Sequence, residues 1–125
     1  MNYKVLLTVF ICVCNSVVAL PFDAPKYQGF ITDPGHILDL SQKQKLETLS
    51  QQIQLKTGAQ VATAIVPEMG ESWTIDEYAN RLFEAWGIGQ KGEDNGILFL
   101  IAIKEKKMRI EVGYGLEHII PDGKA

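Results

Sequence analysis

Residues 97–114 read ILFLIAIKEKKMRIEVGY. Seven apolar residues in a row, Ile97 to Ile103, make a strand that is covered on both faces. The polar tetrad Lys104 to Lys107 interrupts it. Met108, Ile110, Val112 and Tyr114 then alternate with Arg109, Glu111 and Gly113, which is the period of a strand with one face towards the core and the other towards water. Two strands separated by a short polar break form an antiparallel hairpin. Its first member sits in the middle of a sheet.

Upstream of the hairpin, the pattern changes from period two to period 3.6. Thr74 and Glu77 form a capping box, followed by Ile75, Tyr78, Ala79, Leu82, Phe83 and Trp86 on one helical face, with Gly87 as the stop. Before that, Ala59 to Val66 reads AQVATAIV, a buried strand ended by Pro67. Ser41 to Lys56 reads as a helix with a capping box at Ser41 and Gln44, a thin apolar stripe at Leu46, Leu49 and Ile53, and a stop at Gly58. Asp33-Pro34-Gly35 is a turn. The order helix, strand, helix, strand, strand predicts a right-handed parallel crossover from 59–66 to 97–103 and then the antiparallel hairpin. The expected fold class is α/β, a three-layer α/β/α sandwich of Rossmann-like style with a mixed sheet.

The 125 residues, with 12 basic and 15 acidic side chains and a formal net charge of -3, make one domain at most. This balance gives no basic footprint for a nucleic acid. Residues 1–19, MNYKVLLTVFICVCNSVVA, combine a short start bearing Lys4, an apolar run and a small-residue ending at Ala19, the layout of a secretory signal peptide. Cys12 and Cys14 both lie inside it, so thiol, disulfide and zinc-knuckle chemistry are not expected of the chain from Leu20 onward. Residues 20–28 read as an extended arm, and 29–125 as the domain. Ile119 to Ala125 look like the start of a helix without its end, as in a domain truncated at its C-terminus. The protein is expected to be exported, periplasmic or extracellular, with membrane attachment through a further C-terminal region as one option.

Gly87-Ile88-Gly89-Gln90-Lys91-Gly92 matches the dinucleotide-binding pattern GxGxxG letter for letter. The context excludes it. That pattern works between a strand and the N-terminus of a helix, and here a helix precedes it and a strand comes after. No nucleotide cofactor is expected.

The acids are more informative. A hairpin turn centred on Glu105 and Lys106 sets Asp94 opposite Glu117, on an edge where Asn95, Asp122 and, from the entry loop, Asp33 converge. Clustered carboxylates either raise one another's pKa values or recruit a cation, and oxygen ligands suit calcium, magnesium or manganese over zinc. Asp94-Asn95-Gly96 can equally be a plain turn that starts a strand. Glu111 reads as a solvated residue on the outer face of its strand. His36 and His118 read as loop or surface residues, and Trp73 and Trp86 as packing at the rim of the core.

Trp86-Gly87-Ile88-Gly89, Asp94-Asn95-Gly96 with its apolar strand, and the run from Arg109 to Glu117, RIEVGYGLE, together resemble the TPM domain family. This family occurs in exported bacterial proteins and in a thylakoid-lumen protein of photosystem repair. The resemblance runs from about residue 29 to 125. It implies the α/β/α sandwich, divalent-cation binding, especially of calcium, and a role beside a membrane or envelope protein complex. For the plant relative it also implies acid phosphatase activity. Carried over by position, the acids of the family pattern are Asp33, Asp94, Glu117 and Asp122. The readings open at this point are a cation-binding module, a metal-assisted phosphatase and a metal-free interaction domain. The chain is expected to be a monomer.

Overall fold

The computed structural model describes residues 21–89 and 92–118. Residues 1–20, on which the expected signal peptide falls, Gln90, Lys91 and residues 119–125, including Asp122 and Lys124, lie outside the described residues. Four strands form one sheet in the order β1 (Ile31–Thr32), β2 (Gln60–Val66), β3 (Gly96–Ala102), β4 (Lys107–Val112). β1, β2 and β3 are parallel, and β4 is antiparallel to β3. Helices α1 (Leu40–Thr57) and α2 (Ile75–Trp86) supply the crossovers. No helix among the described residues is long and apolar enough to cross a membrane.

α2 is the helix expected from its stripe. Thr74 and Glu77 make the reciprocal capping box, and Gly87 closes the helix at φ 58. Leu82 and Ala79 are fully buried, and they pack in one cluster with Ala62, Ala64, Leu98, Leu100 and Ala102 from the sheet. The other face of the sheet carries Val61, Thr63, Phe99 and Ile101, which line a groove of about 330 Å³ with Leu46, Leu49 and Ile53 of α1. The two helices therefore lie on opposite faces. Since β1, β2 and β3 step across the sheet in one direction, the two crossovers have opposite hands, and one of them departs from the right-handed rule.

α1 begins two residues before the expected cap. Its N-cap is Asp39, whose carboxylate accepts from the Gln42 N–H while the Gln42 side chain accepts from the Asp39 N–H. The cause lies upstream, at Asp33. Its carboxylate accepts from the N–H groups of Ile37 at 3.0 Å and Leu38 at 2.8 Å, which brings Asp39 to the head of the helix. The stripe on α1 buries little: Ser50 is its one buried residue, and Leu49 is 53% exposed.

The arm is fastened to α2. Phe22 meets Trp73 and Tyr78 edge-on, Tyr27 meets Trp86, and the Trp86 indole N–H donates to Pro25 O at 2.9 Å. Both tryptophans thus pack at the rim of the core. Tyr78 is buried there, and desolvation, reinforced by Asp23 and Glu105, holds its phenol above the usual range.

The hairpin register differs from expectation by two residues. Ile97 pairs with Val112 and Ala102 with Lys107, so Ile103 to Lys106 form the turn. Glu105 explains the shift. Its carboxylate accepts from the Met69 N–H at 2.9 Å and draws the turn onto the loop after β2. Asp94 consequently lies across from Gly115, whose N–H donates to Asp94 O at 3.0 Å, and Glu117 falls beyond the ladder.

Candidate acidic cleft

Three glycine-bearing segments meet at the start of β3. Gly96 is pressed so close to Ile88 that a methyl group there would stand 2.6 Å from the Ile88 carbonyl oxygen. A methyl on Gly113 would collide with the carbonyl of Asp94, and one on Gly115 with that of Glu93. The motifs built on Gly87-Ile88-Gly89, Asn95-Gly96 and Gly113-Tyr114-Gly115 are therefore one knot of backbone packed on backbone. Its purpose at Gly89 is contact with a neighbouring strand, and the Gly89 N–H donates to the Gln60 side chain at 2.9 Å. Asn95 belongs to the same knot: it is buried and its amide donates to Gly58 O at 2.7 Å, tying the end of α1 to the start of β3.

Beside the knot, the end of α2, the start of β3 and the end of β4 enclose a cleft of about 320 Å³. Glu84, Asp94, Glu111 and Glu117 line it, with Phe83 and Tyr114 among the apolar walls. Asp94 adopts a left-handed backbone, φ 48, as it turns the chain into β3. The short 3-10 turn Tyr114–Leu116 carries Glu117 back towards it. No Lys or Arg among the described residues lines the cleft.

Glu84 sits in the last turn of α2, which has no basic residue. The carbonyl end of a helix carries partial negative charge, so an acid there costs about 0.3–1 kcal/mol where a base would stabilise. The helix end, Glu84, Asp94 and Glu117 add to one negative potential, while the Arg109 guanidinium, 3.6 Å away, offsets the charge of Glu111. Among the described residues, no three acids, histidines or cysteines are grouped so as to hold a metal ion.

Of the expected site residues, the structure brings Asp94 and Glu117 to the same cleft and places Asp33 elsewhere. Thr32 is level with Ala64 and Ala64 with Leu100 in a parallel sheet, so Asp33, just after β1, lies level with the C-terminal ends of β2 and β3 while Asp94 precedes β3. Six to seven residues of strand, about 20 Å, separate their levels. The carboxylate of Asp33 is instead buried under the head of α1, saturated by the Ile37 and Leu38 N–H groups. Asp122 lies outside the described residues. His36, at φ 50 in the turn after Asp33, and His118 are both exposed.

Glu84 and Glu111 are cleft residues that sequence reasoning missed. For Glu84 the signal was present, an acid where a helix end favours a base. Alternation along β4 puts Glu111 on the solvated side. Its side chain is 22% exposed and stands 3.6 Å from Arg109, on the face that α2 covers. Cross-strand pairing explains the placement, because Leu98, which points to α2, lies opposite Glu111, and Leu100 lies opposite Arg109. The apolar residues Met108 and Ile110 point to the α1 side.

The family model of the TPM domain matches residues 31–125. No curated protein matches the chain. Among solved structures, the N-terminal domain of a protein from P. gingivalis superposes with a TM-score of 0.70 at 26% identity, covering 76% of this chain and 60% of that one. The N-terminal domain of the cg2496 protein from Corynebacterium glutamicum superposes with a TM-score of 0.59 at 14% identity, covering 77% and 61%, and speaks to the fold alone. The chain thus spans about three-fifths of the length of these solved domains. Both are similar in the mixed sheet and its flanking helices, and the family match takes in every strand, both helices and the whole glycine knot. By that match, the chain belongs to the TPM domain family.

Proposed function

We propose that this TPM domain is an exported module that binds a divalent cation of the calcium class in the acidic cleft and assists a membrane or envelope protein complex. The observation that carries the reading is the set Glu84, Asp94, Glu111 and Glu117 around one cleft, at the negative end of α2 and with no basic residue among its described lining. Calcium accepts an irregular shell of about 6–8 oxygens and shares it with water. Carboxylates spread around a cleft of about 320 Å³ suit a partly hydrated ion. Magnesium, which keeps more of its water, is the second candidate. Export rests on the N-terminal apolar segment, and the membrane or envelope partner on the family resemblance.

A metal-assisted phosphatase would use the same cation to polarise a phosphoryl oxygen and activate water. The cleft favours that reading less, since phosphate binding calls for positive charge or helix N–H groups, and α2 presents its carbonyl end here.

Titration calorimetry tests the proposal. Calcium releases heat on binding to the wild-type protein, and Asp94→Asn combined with Glu117→Gln abolishes that heat. Asp33→Asn leaves it unchanged, because Asp33 stands at the far end of the sheet. Calcium binding that survives the double substitution, or that vanishes in Asp33→Asn while the fold persists, places the ion elsewhere. Turnover of an aryl phosphate that survives the double substitution removes the phosphatase reading.

A further inference from the structure

β4 has a strand neighbour on one side only among the described residues. The ladder fixes which of its backbone groups face outward. Gly113 N–H donates to Gly96 O at 2.8 Å and Gly115 N–H to Asp94 O at 3.0 Å, so odd-numbered residues turn their N–H and C=O groups towards β3. Those of Met108, Ile110 and Val112 point away from it. The same three residues present their side chains on the α1 side, where α1 covers mainly β1 and β2. Met108 is 62% exposed there.

A second copy of β4 can add to this edge antiparallel, about a two-fold axis normal to the sheet. Three central registers bring outward backbone groups face to face, with the axis at Arg109, at Ile110 or at Glu111. The charges choose among them. With the axis at Arg109 two guanidinium groups are opposed, and with the axis at Glu111 two carboxylates are opposed. With the axis at Ile110, Arg109 of each copy, which already stands 3.5 Å from Asp76 of α2 and 3.6 Å from its own Glu111, lies across from Glu111 of the other copy, so that opposite charges face each other across the seam. On the opposite face the same register sets Ile110 beside Ile110 and Met108 across from Val112. The apolar strip of Phe99, Ile101, Ile110 and Met108 then continues from one copy into the other.

We infer that β4 is a self-pairing edge, and that two copies of this chain join their sheets through antiparallel β4 strands in the register centred on Ile110. Charged residues on an edge strand usually discourage such pairing. Here their alternation in sign instead selects one register, in place of the monomer expected from the sequence.

Sedimentation over a concentration series tests the inference. The wild-type protein rises from the mass of one chain towards twice that mass. Glu111→Arg alone and Arg109→Glu alone stay at the mass of one chain, because each opposes like charges in the pairing register. An equimolar mixture of the two variants dimerises, since every charge on one strand then meets its opposite on the other. Met108→Lys, at an exposed position that leaves the fold intact, weakens dimerisation about tenfold through the ammonium set against the apolar strip. A wild-type protein that remains a single chain at every concentration overturns the inference. So do single-charge variants that still dimerise, or a mixture that does not.

Discussion

Replacing Gly115 with alanine lowers the stability of the fold by about 3 kcal/mol, the upper range for forcing extra volume into a packed site. The new methyl would overlap the Glu93 carbonyl oxygen, and its nearest other neighbours are atoms of Asp94. All are backbone, so no flexible side chain can move aside. Relief requires the strand ends to separate, which breaks the bond from Gly115 N–H to Asp94 O. For a domain of this size, each kcal/mol displaces the unfolding midpoint by about 4–8 °C, so a fall of about 15 °C is expected in a thermal scan. Gly113→Ala behaves in the same way, against the Asp94 carbonyl. Gly92→Ala is the comparison. Its φ of 90 makes any side chain strained, but it meets nothing within reach, so its cost stays near 1 kcal/mol. Equal losses at Gly92 and Gly115 would show that backbone freedom, and not close approach, explains the glycines.

Leu82→Ala has an effect of similar size by a different route. Leu82 is fully buried where α2 meets Leu98 and Leu100, and truncating such a leucine costs about 3–5 kcal/mol through lost transfer energy and the cavity left behind. Because α2 delivers Glu84 and Phe83 to the cleft, a loosened Leu82 is also expected to weaken the proposed calcium binding. Leu49→Ala on α1 costs less than about 1 kcal/mol, since that side chain is 53% exposed. Chemical denaturation of both variants reads the difference directly. It measures how unequally the two helices are anchored, a property that the sequence of α1 alone overstates.

That overstatement shows where sequence reading stops. The period of α2 and the run from Ile97 were legible because each encodes its environment locally, as a stripe or as uninterrupted apolar residues. α1 carried a weaker stripe, and its cap was misplaced because a residue six positions upstream, Asp33, sets where the helix begins. The register of the hairpin was displaced by Glu105, which bonds to a loop more than thirty residues away. Neither influence has a local signature. The candidate site was legible in part. Asp94 and Glu117 reach one cleft through the glycine knot, even though they do not face each other across the ladder. Asp33 stays apart because β1 and β3 run parallel, so the loop after β1 and the loop before β3 lie at opposite ends of the sheet. Glu111 was missed because alternation says which residues share a face, and the nature of the covering helix decides which face is wet.

The proposed function rests on a cation drawn to the acids of the cleft at a helix end of the same sign. Thermal unfolding of the protein in chelator and then in excess calcium tests this most directly. With calcium at about a hundred times its dissociation constant, binding adds about 2.7 kcal/mol, so the midpoint rises by about 10 °C or more. Asp94→Asn removes the rise. An unfolding midpoint that calcium and magnesium leave unmoved would contradict the account and leave the acidic cleft without a cation.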